Sequence, residues 1–266
     1  MVRNGELKNQ ALAVLEAKWL TAALLTFVFY ISVYAITFFI VGVFTPLGEE
    51  MITFVSLLAN IILLPLTFGF TVAFYSMRKE NKLEIKMLYK YYDEMPVWTT
   101  MILKYLYMML WVLPGLIAAV AIILLMAYFC PMSEITMTCI TIVIVFLAMI
   151  PYYVKYYSYS MTEYIMTDNL EIKNNEAIEM SMRMMQGKKE KLFMLDLSFI
   201  GWAILAVLTL GIGFFFLIPY WYTTRAAFYE NLKAELNPDT EDKSLAANES
   251  PVNYDFKTEN TGYTKQ

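Results

Sequence analysis

The sequence predicts an all-α membrane protein, a polytopic helix bundle with about six transmembrane helices in three hairpins and amphipathic helices on the cytoplasmic side. Two observations carry this prediction. Hydrophobic residues make up 59% of the 266 residues and charged residues 17%, whereas soluble domains average about 45–50% and about 25%. The apolar residues also form runs longer than a soluble core helix needs, which excludes an ordinary cytosolic enzyme and a disulfide-stabilised secreted domain.

The apolar runs set the predicted spans. A bilayer core needs about 20 apolar residues as one helix, and the runs at 19–44, 51–75, 99–129 and 135–159 meet that length. The next run, 192–229, is too long for one span and is interrupted by Gly211-Ile212-Gly213. We therefore divide it into 192–210 and 212–229, with five spans as the alternative. Residues 1–236 form the predicted membrane domain, and the polar segment 237–266 is predicted to be a disordered cytoplasmic tail.

The distribution of basic residues favours six spans over five. The short connections 45–50, 131–134 and 211–213 contain no Lys or Arg, whereas 76–98 and 160–191 are rich in them. Cytoplasmic loops of membrane proteins carry the excess of Lys and Arg. Six spans place every basic segment and both termini in the cytoplasm.

The second span of each hairpin carries a related motif. Pro65 is followed by Phe74-Tyr75 and Pro219 by Phe228-Tyr229, at the same spacing of nine and ten residues. In the middle hairpin Pro151 precedes Tyr159-Ser160-Met161, which resembles Tyr75-Ser76-Met77 but lies at a different spacing. The pattern predicts a threefold repeat about an axis along the membrane normal, with chance recurrence of these residue types as the alternative. The prolines are expected to bend the spans. The bent helices either surround a cavity or simply pack against one another.

Three segments outside the spans have amphipathic patterns. Residues 6–18, 82–92 and 175–186 each place apolar residues on one helical face. Lys82, Lys86 and Lys90 form a basic stripe on the second segment, and Met182 and Met185 lie on the apolar face of the third. We expect these helices to lie in the headgroup plane against anionic membrane lipids. The alternative is a docking surface for another membrane or cytoplasmic protein.

A few polar side chains are predicted at membrane depth, where they are candidates for function. Asn60, Lys104, Asp196 and Arg225 are the candidates. They line a cytoplasm-facing cavity in one interpretation; in the other the cations snorkel and Asp196 pairs with Lys104 or Arg225. Tyr153, Tyr156 and Tyr157 form either an interfacial aromatic belt or a hydroxyl-lined groove for a lipid or peptide.

The sequence offers little for catalysis or metal binding. It contains no histidine, and Cys130 and Cys139 lack metal-ligand spacing. There is no nucleotide-binding loop, serine nucleophile elbow or zinc signature. We therefore expect no enzymatic activity, cofactor or metal. The net charge of −4 argues against a nucleic-acid partner.

The last third of the apolar region resembles a known family. Leu197-Ser198-Phe199-Ile200-Gly201-Trp202, Thr209-Leu210-Gly211-Ile212-Gly213, Pro219-Tyr220 and Ala227-Phe228-Tyr229 are similar to motifs of domain of unknown function 975. Glu6-Leu7-Lys8 leading to Trp19, and Met185-Gln186-Gly187-Lys188, extend the likeness over about residues 5–235. The resemblance implies a multi-pass protein of the bacterial cytoplasmic membrane and brings no established activity.

These observations favour a non-enzymatic membrane protein that binds lipid or a partner protein, as an accessory or scaffold subunit. The alternative function is a small carrier or exporter for a hydrophobic or peptide-like substrate. Its site would lie on the pseudo-threefold axis, among Asn60, the proline bends and the tyrosines.

Overall fold

A computed structural model describes residues 2–44, 46, 48–129, 133–172 and 174–236. These residues form α-helices and contain no strand, which confirms the predicted all-α class. The α-helices are α1 (Asn4–Leu15), α2 (Trp19–Phe44), α3 (Glu49–Ile62), α4 (Leu64–Glu80), α5 (Met95–Phe129), α6 (Glu134–Ala148), α7 (Ile150–Ser158), α8 (Thr162–Asp168), α9 (Asn174–Met184), α10 (Lys189–Leu197), α11 (Ile200–Leu208) and α12 (Phe214–Leu236). The predicted tail, 237–266, lies outside the described residues.

Within that described part, five stretches are long and apolar enough to cross a membrane. They are Trp19–Phe44, Glu50–Glu80, Met95–Phe129, Glu134–Asp168 and Lys189–Leu208. The predicted division of the last apolar run is also present, because α11 ends at Leu208 and α12 begins at Phe214. In the turn between them Leu210 and Gly211 have φ angles of 54° and 89°. The sixth predicted span corresponds to α12, which is about 35 Å long at 1.5 Å per residue but is not apolar enough to be among these five stretches.

Two of the prolines interrupt the second spans. The break between α3 and α4 falls at Leu63, and the break between α6 and α7 falls at Met149. Each break lies two residues before a proline, Pro65 or Pro151. The backbone angles are nearly the same, with φ −79° and ψ −8° at Leu63 and φ −81° and ψ −10° at Met149. Because proline has no N–H, the carbonyl one turn earlier loses its helical partner and the chain bends there. Pro114 and Pro219, by contrast, lie inside the continuous helices α5 and α12.

The three repeats pack in a closed ring. The first repeat comprises α1–α4, the second runs from two 3-10 helices (Ile85–Leu88 and Lys90–Asp93) to α8, and the third comprises α9–α12. Each amphipathic segment packs on the second span of the preceding repeat: α1 on α12, the 3-10 helices on α4, and α9 on α8. The first spans follow the same rule, with α2 on α12, α5 on α4 and α10 on α7. This cyclic pattern supports the threefold repeat.

The amphipathic segments bury their apolar faces in the protein itself. Leu7, Ala11 and Leu15 of α1 are buried, and so are Ala177 and Ile178 of α9. The expectation that these faces lie against lipid is therefore wrong. The first and third segments are helical as predicted, and Gly187 lies three residues after the end of α9 with a φ of 67°.

The second amphipathic segment is not an α-helix. It forms the two 3-10 helices, and Leu88 and Tyr91, three residues apart, face the core. Lys82, Lys86 and Lys90 consequently do not form one stripe. Instead each contacts a different residue. Lys82 pairs with Glu80 at 3.9 Å and Lys86 pairs with Glu84 at 2.6 Å. Lys90 Nζ lies 5.4 Å from the ring centre of Tyr91.

The half of the bundle distant from these segments is packed more sparsely. In α6 no side chain is buried, and α6 contacts chiefly its neighbours α5 and α7. Large apolar side chains such as Phe38, Phe146 and Leu208 are exposed on the outside of the bundle. An apolar exterior of this kind is what a lipid environment favours.

Candidate functional site

Three tyrosines meet where the second spans converge. Tyr75 of α4, Tyr164 of α8 and Tyr229 of α12 have ring centroids 5.7, 5.5 and 5.3 Å apart. The near-equal distances place the pseudo-threefold axis between them. The middle repeat thus contributes Tyr164 and not the predicted Tyr159, because a turn between α7 and α8 adds residues after Pro151. Tyr159 is instead buried in a separate cluster with Met108 and Ile178.

One turn further along each helix, three charged residues meet. Lys79, Asp168 and Lys233 each lie four residues after a tyrosine of the triad. Asp168 Oδ1 accepts hydrogen bonds from Tyr75 Oη and Lys79 Nζ, both at 2.9 Å. Its Oδ2 accepts from Tyr229 Oη at 2.9 Å and Lys233 Nζ at 2.7 Å. We call this group the Asp168 clasp, since one carboxylate joins the second spans of all three repeats.

A polar cavity of about 250 Å3 lies on the other side of the tyrosine triad. Its lining residues are Thr67, Thr71, Lys104, Tyr105, Met108, Tyr152, Tyr156, Ser160, Glu163, Tyr164, Trp221, Tyr222 and Arg225. Thr71, Ser160 and Arg225 each lie four residues before a tyrosine of the triad, so they form a further pseudo-threefold layer. Tyr105 belongs both to the lining and to the exposed surface of α5, with 43% exposure. Tyr105 therefore lies between the cavity and the lateral surface of the bundle.

The cavity contains a buried ion pair between distant elements. Lys104 of α5 donates from Nζ to Glu163 of α8, and their side chains are only 9% and 14% exposed. Lys104 was predicted as a site residue, and Asp196 was predicted to pair with either Lys104 or Arg225. The structure decides between them, because Asp196 lies beside Arg225 of α12, with Oδ2 3.9 Å from Nη1. The alternative pairing, of Asp196 with Arg225, is the one present.

Arg225 is held by a set of aromatic contacts. Its Nη1 donates to Tyr156 Oη at 3.1 Å, and its guanidinium carbon lies 4.4 Å from the ring centre of Trp221. Trp221 Nε1 in turn donates to Asp196 Oδ1 at 2.8 Å. The side chain of Arg225 is buried, so these contacts fix its planar group in the cavity wall.

Several predicted site residues lie elsewhere. Asn60 is exposed on α3, where its amide donates to the Ser56 carbonyl at 2.7 Å. Tyr153 is 52% exposed and does not line the cavity, and Tyr157 packs against the main core and the ring of Phe193. Of the three predicted tyrosines, the cavity therefore contains only Tyr156, because the side chains alternate around α7.

The predicted interfacial methionines are also internal. Met185 is fully buried and Met182 packs beside the cluster around Ile178. A partner protein cannot contact Met185 in this conformation, so its interfacial assignment is wrong. The exposed face of α9 consists instead of polar residues such as Glu176 and Arg183.

Glu163 and Asp168 were not predicted as site residues. They fall in 160–191, which was predicted to be a cytoplasmic connection, whereas α8 places them inside the bundle. The spacing that could have identified Asp168 is Tyr-x-x-x-charged, which occurs at 75–79, 164–168 and 229–233 and also at 89–93 and 159–163. The middle repeat does not show this match when the repeats are aligned at their prolines, because Tyr164 lies further from Pro151 than Tyr75 and Tyr229 lie from their prolines.

The amphipathic helix α1 is held against the third repeat by Lys8. Lys8 donates to the Ser198 carbonyl at 3.0 Å and lies 4.2 Å from the ring centre of Phe199. Partial burial lowers the pKa of Lys8 because it disfavours the charged ammonium. These contacts connect α1 to the break between α10 and α11.

The cavity presents ion pairs, hydroxyls and aromatic rings, which recognise a charged or polar group. Among the described residues no cluster of three or more Cys, Asp or Glu side chains could hold a metal ion.

The chain was compared with curated proteins and with solved structures, and none matches it. A family model does match, over residues 1–236, which is the whole of the predicted membrane domain. Its description is Protein of unknown function (DUF975). The match includes the regions that carried the resemblance in sequence, and the chain therefore belongs to this family.

Proposed function

We propose that this protein is a non-enzymatic membrane protein that binds a membrane amphiphile, with the polar group of the ligand in the central cavity. The observation that carries the proposal is the cavity's position. It is lined by buried charged and hydroxyl groups, and one of its lining residues, Tyr105, is 43% exposed on the lateral surface of α5. A ligand that enters from the side of a membrane bundle has an apolar part that stays in the lipid.

The size of the cavity supports a headgroup as the part that enters. Its volume of about 250 Å3 lies just below the range of about 300–1,000 Å3 that is typical of small-molecule sites. A headgroup fits this volume, but a whole lipid with two acyl chains does not. The acyl chains would lie along the exposed apolar surface next to Tyr105.

For its location we propose the bacterial cytoplasmic membrane, with six spans and both termini in the cytoplasm. The positive charge of 76–98 and 160–191 supports this orientation. The Asp168 clasp would then lie at the cytoplasmic end of the bundle. A reporter that is active only outside the cytoplasm, fused after residue 236, should give no signal. A strong signal would contradict the six-span orientation.

A carrier for a hydrophobic or peptide-like substrate is the second candidate. The observation that favours it is the closure of the cavity on one side by the tyrosine triad and the Asp168 clasp. A carrier must open this closure, whereas a lipid-binding accessory or scaffold protein keeps it closed. Substitution of Asp168 should therefore abolish the activity of a carrier but leave lipid binding intact in a protein that still folds.

The test is native mass spectrometry of the protein purified in mild detergent. We expect a stoichiometric lipid on the wild-type protein and on Thr138→Trp, which adds a ring on the exposed face of α6. Thr71→Trp fills the cavity and should remove the lipid. A Thr71→Trp protein that folds and retains the same lipid would show that the cavity is not the binding site.

A further inference from the structure

Arg225 has hydrogen-bonding capacity that the protein does not use. It is only 5% exposed and lines the cavity. Its hydrogen bond to Tyr156 and its ion pair with Asp196 both involve Nη1. The edge formed by Nε and Nη2 has no partner among the described residues. A buried guanidinium with unused donors is unfavourable unless a ligand or water satisfies them.

The chemistry of that edge selects an oxyanion. The two parallel N–H groups of a guanidinium edge match the two oxygens of a phosphate or carboxylate group. Lys104 lines the same cavity, and the hydroxyl-bearing Tyr105 and Tyr152 complete its polar wall. The carboxylates nearby already have partners, since Glu163 pairs with Lys104 and Asp196 accepts from Trp221. Neither carboxylate therefore occupies the unused edge of Arg225.

We propose that the Nε–Nη2 edge of Arg225 binds the phosphate of a phospholipid headgroup. This inference rests on the proposed function, because it specifies the ligand of the same cavity. Phosphate is the anionic group that membrane phospholipids share, and Tyr105, which lines the cavity and is exposed on α5, marks the side from which a lipid would enter. A free phosphate ester from the cytoplasm has the same chemistry, so the experiment separates the two sources.

The experiment measures binding to the full-length protein in detergent by native mass spectrometry. The probes are phosphatidylglycerol, diacylglycerol, oleate and glycerol phosphate. Phosphatidylglycerol should bind at least about tenfold more tightly than diacylglycerol, since hydrogen bonds to charged groups contribute about 1.5–3 kcal/mol and about 1.4 kcal/mol equals tenfold. Glycerol phosphate should not compete.

The variants test the edge itself. Arg225→Lys keeps the charge but removes the fork, and we expect it to lose at least about tenfold in affinity for phosphatidylglycerol. The matched control is Arg183→Lys on the exposed face of α9, which should bind as the wild type does. Thr71→Glu places a carboxylate in the same layer as Arg225. It should fold and exclude the phospholipid, which keeps the inference testable if Arg225→Lys does not fold.

Each result has a distinct meaning. Equal binding of phosphatidylglycerol and diacylglycerol, or unchanged binding to folded Arg225→Lys, would overturn the phosphate inference while the proposed function stands. Tighter binding of oleate would overturn it in favour of a carboxylate. Competition by glycerol phosphate would overturn the lipid source. The absence of any lipid on the wild-type protein would instead contradict the proposed function.

Discussion

Tyr75 and Tyr229 lie edge to face, with ring centroids 5.5 Å apart, and their hydroxyls donate to opposite oxygens of one carboxylate, each at 2.9 Å. The two residues belong to the first and third repeats and are related by the pseudo-threefold axis. The carboxylate, Asp168, comes from the second repeat. The three hairpins are thus joined at one point by a polar group that is nearly excluded from water, with a side-chain exposure of 4%.

Replacement of Asp168 should destabilise the whole bundle. Asp168→Asn removes the negative charge that Lys79 and Lys233 both contact. We expect a loss of about 2 kcal/mol or more, because hydrogen bonds to charged groups contribute about 1.5–3 kcal/mol. The measurement is the midpoint of thermal denaturation in detergent. Asp93→Asn, at an exposed position, is the control and should leave the midpoint unchanged.

The pseudo-symmetry of the clasp predicts equal effects of two distant substitutions. Tyr75→Phe and Tyr229→Phe each remove one hydroxyl donor to Asp168, and each should cost about 1–2 kcal/mol. Because both hydroxyls contact one carboxylate, the double variant should depart from the sum of the two single variants. A double-mutant cycle from chemical denaturation measures this. Strict additivity would contradict a shared role.

The buried ion pair in the cavity should respond differently to single and double substitutions. Lys104→Met leaves Glu163 as a buried charge without its partner and should cost about 3–5 kcal/mol. Replacing both residues, as Lys104→Met with Glu163→Leu, should restore much of that stability, since an apolar pair avoids the cost of desolvation. Denaturation of lipid-free protein compares the three forms. A double variant that is less stable than the single one would argue against this account.

Gly115 permits a close approach of α5 and α6. A Cβ at this position would lie 2.1 Å from the carbonyl oxygen of Ala148, which is a backbone atom and cannot turn away. Gly115→Ala should therefore separate the two helices and lower the denaturation midpoint. Gly201→Ala in α11 is the matched control, because a Cβ there meets nothing within 4 Å. It should be neutral or stabilising by up to about 1 kcal/mol from helix propensity.

The pairing of Arg225 with Asp196 shows how much of the site could be predicted from the sequence. Both residues stood out because a charge within an apolar run is costly and needs a partner. Glu163 and Asp168 did not stand out, because they lie in a segment whose charge pattern resembles a cytoplasmic connection. Asn60 stood out for its polarity alone, and the helix satisfies it locally through Ser56.

By itself the sequence determined the class of the protein, the extent of most apolar helices and the glycine turn before α12. These features depend on local hydrophobicity and on backbone preferences, which a short window of residues contains. Tertiary structure decided which tyrosine of the middle repeat joins the triad, where the amphipathic faces are buried, and which carboxylate pairs with Lys104. These contacts join residues far apart in the chain, such as Lys104 and Glu163, and depend on how three bent hairpins close into a ring.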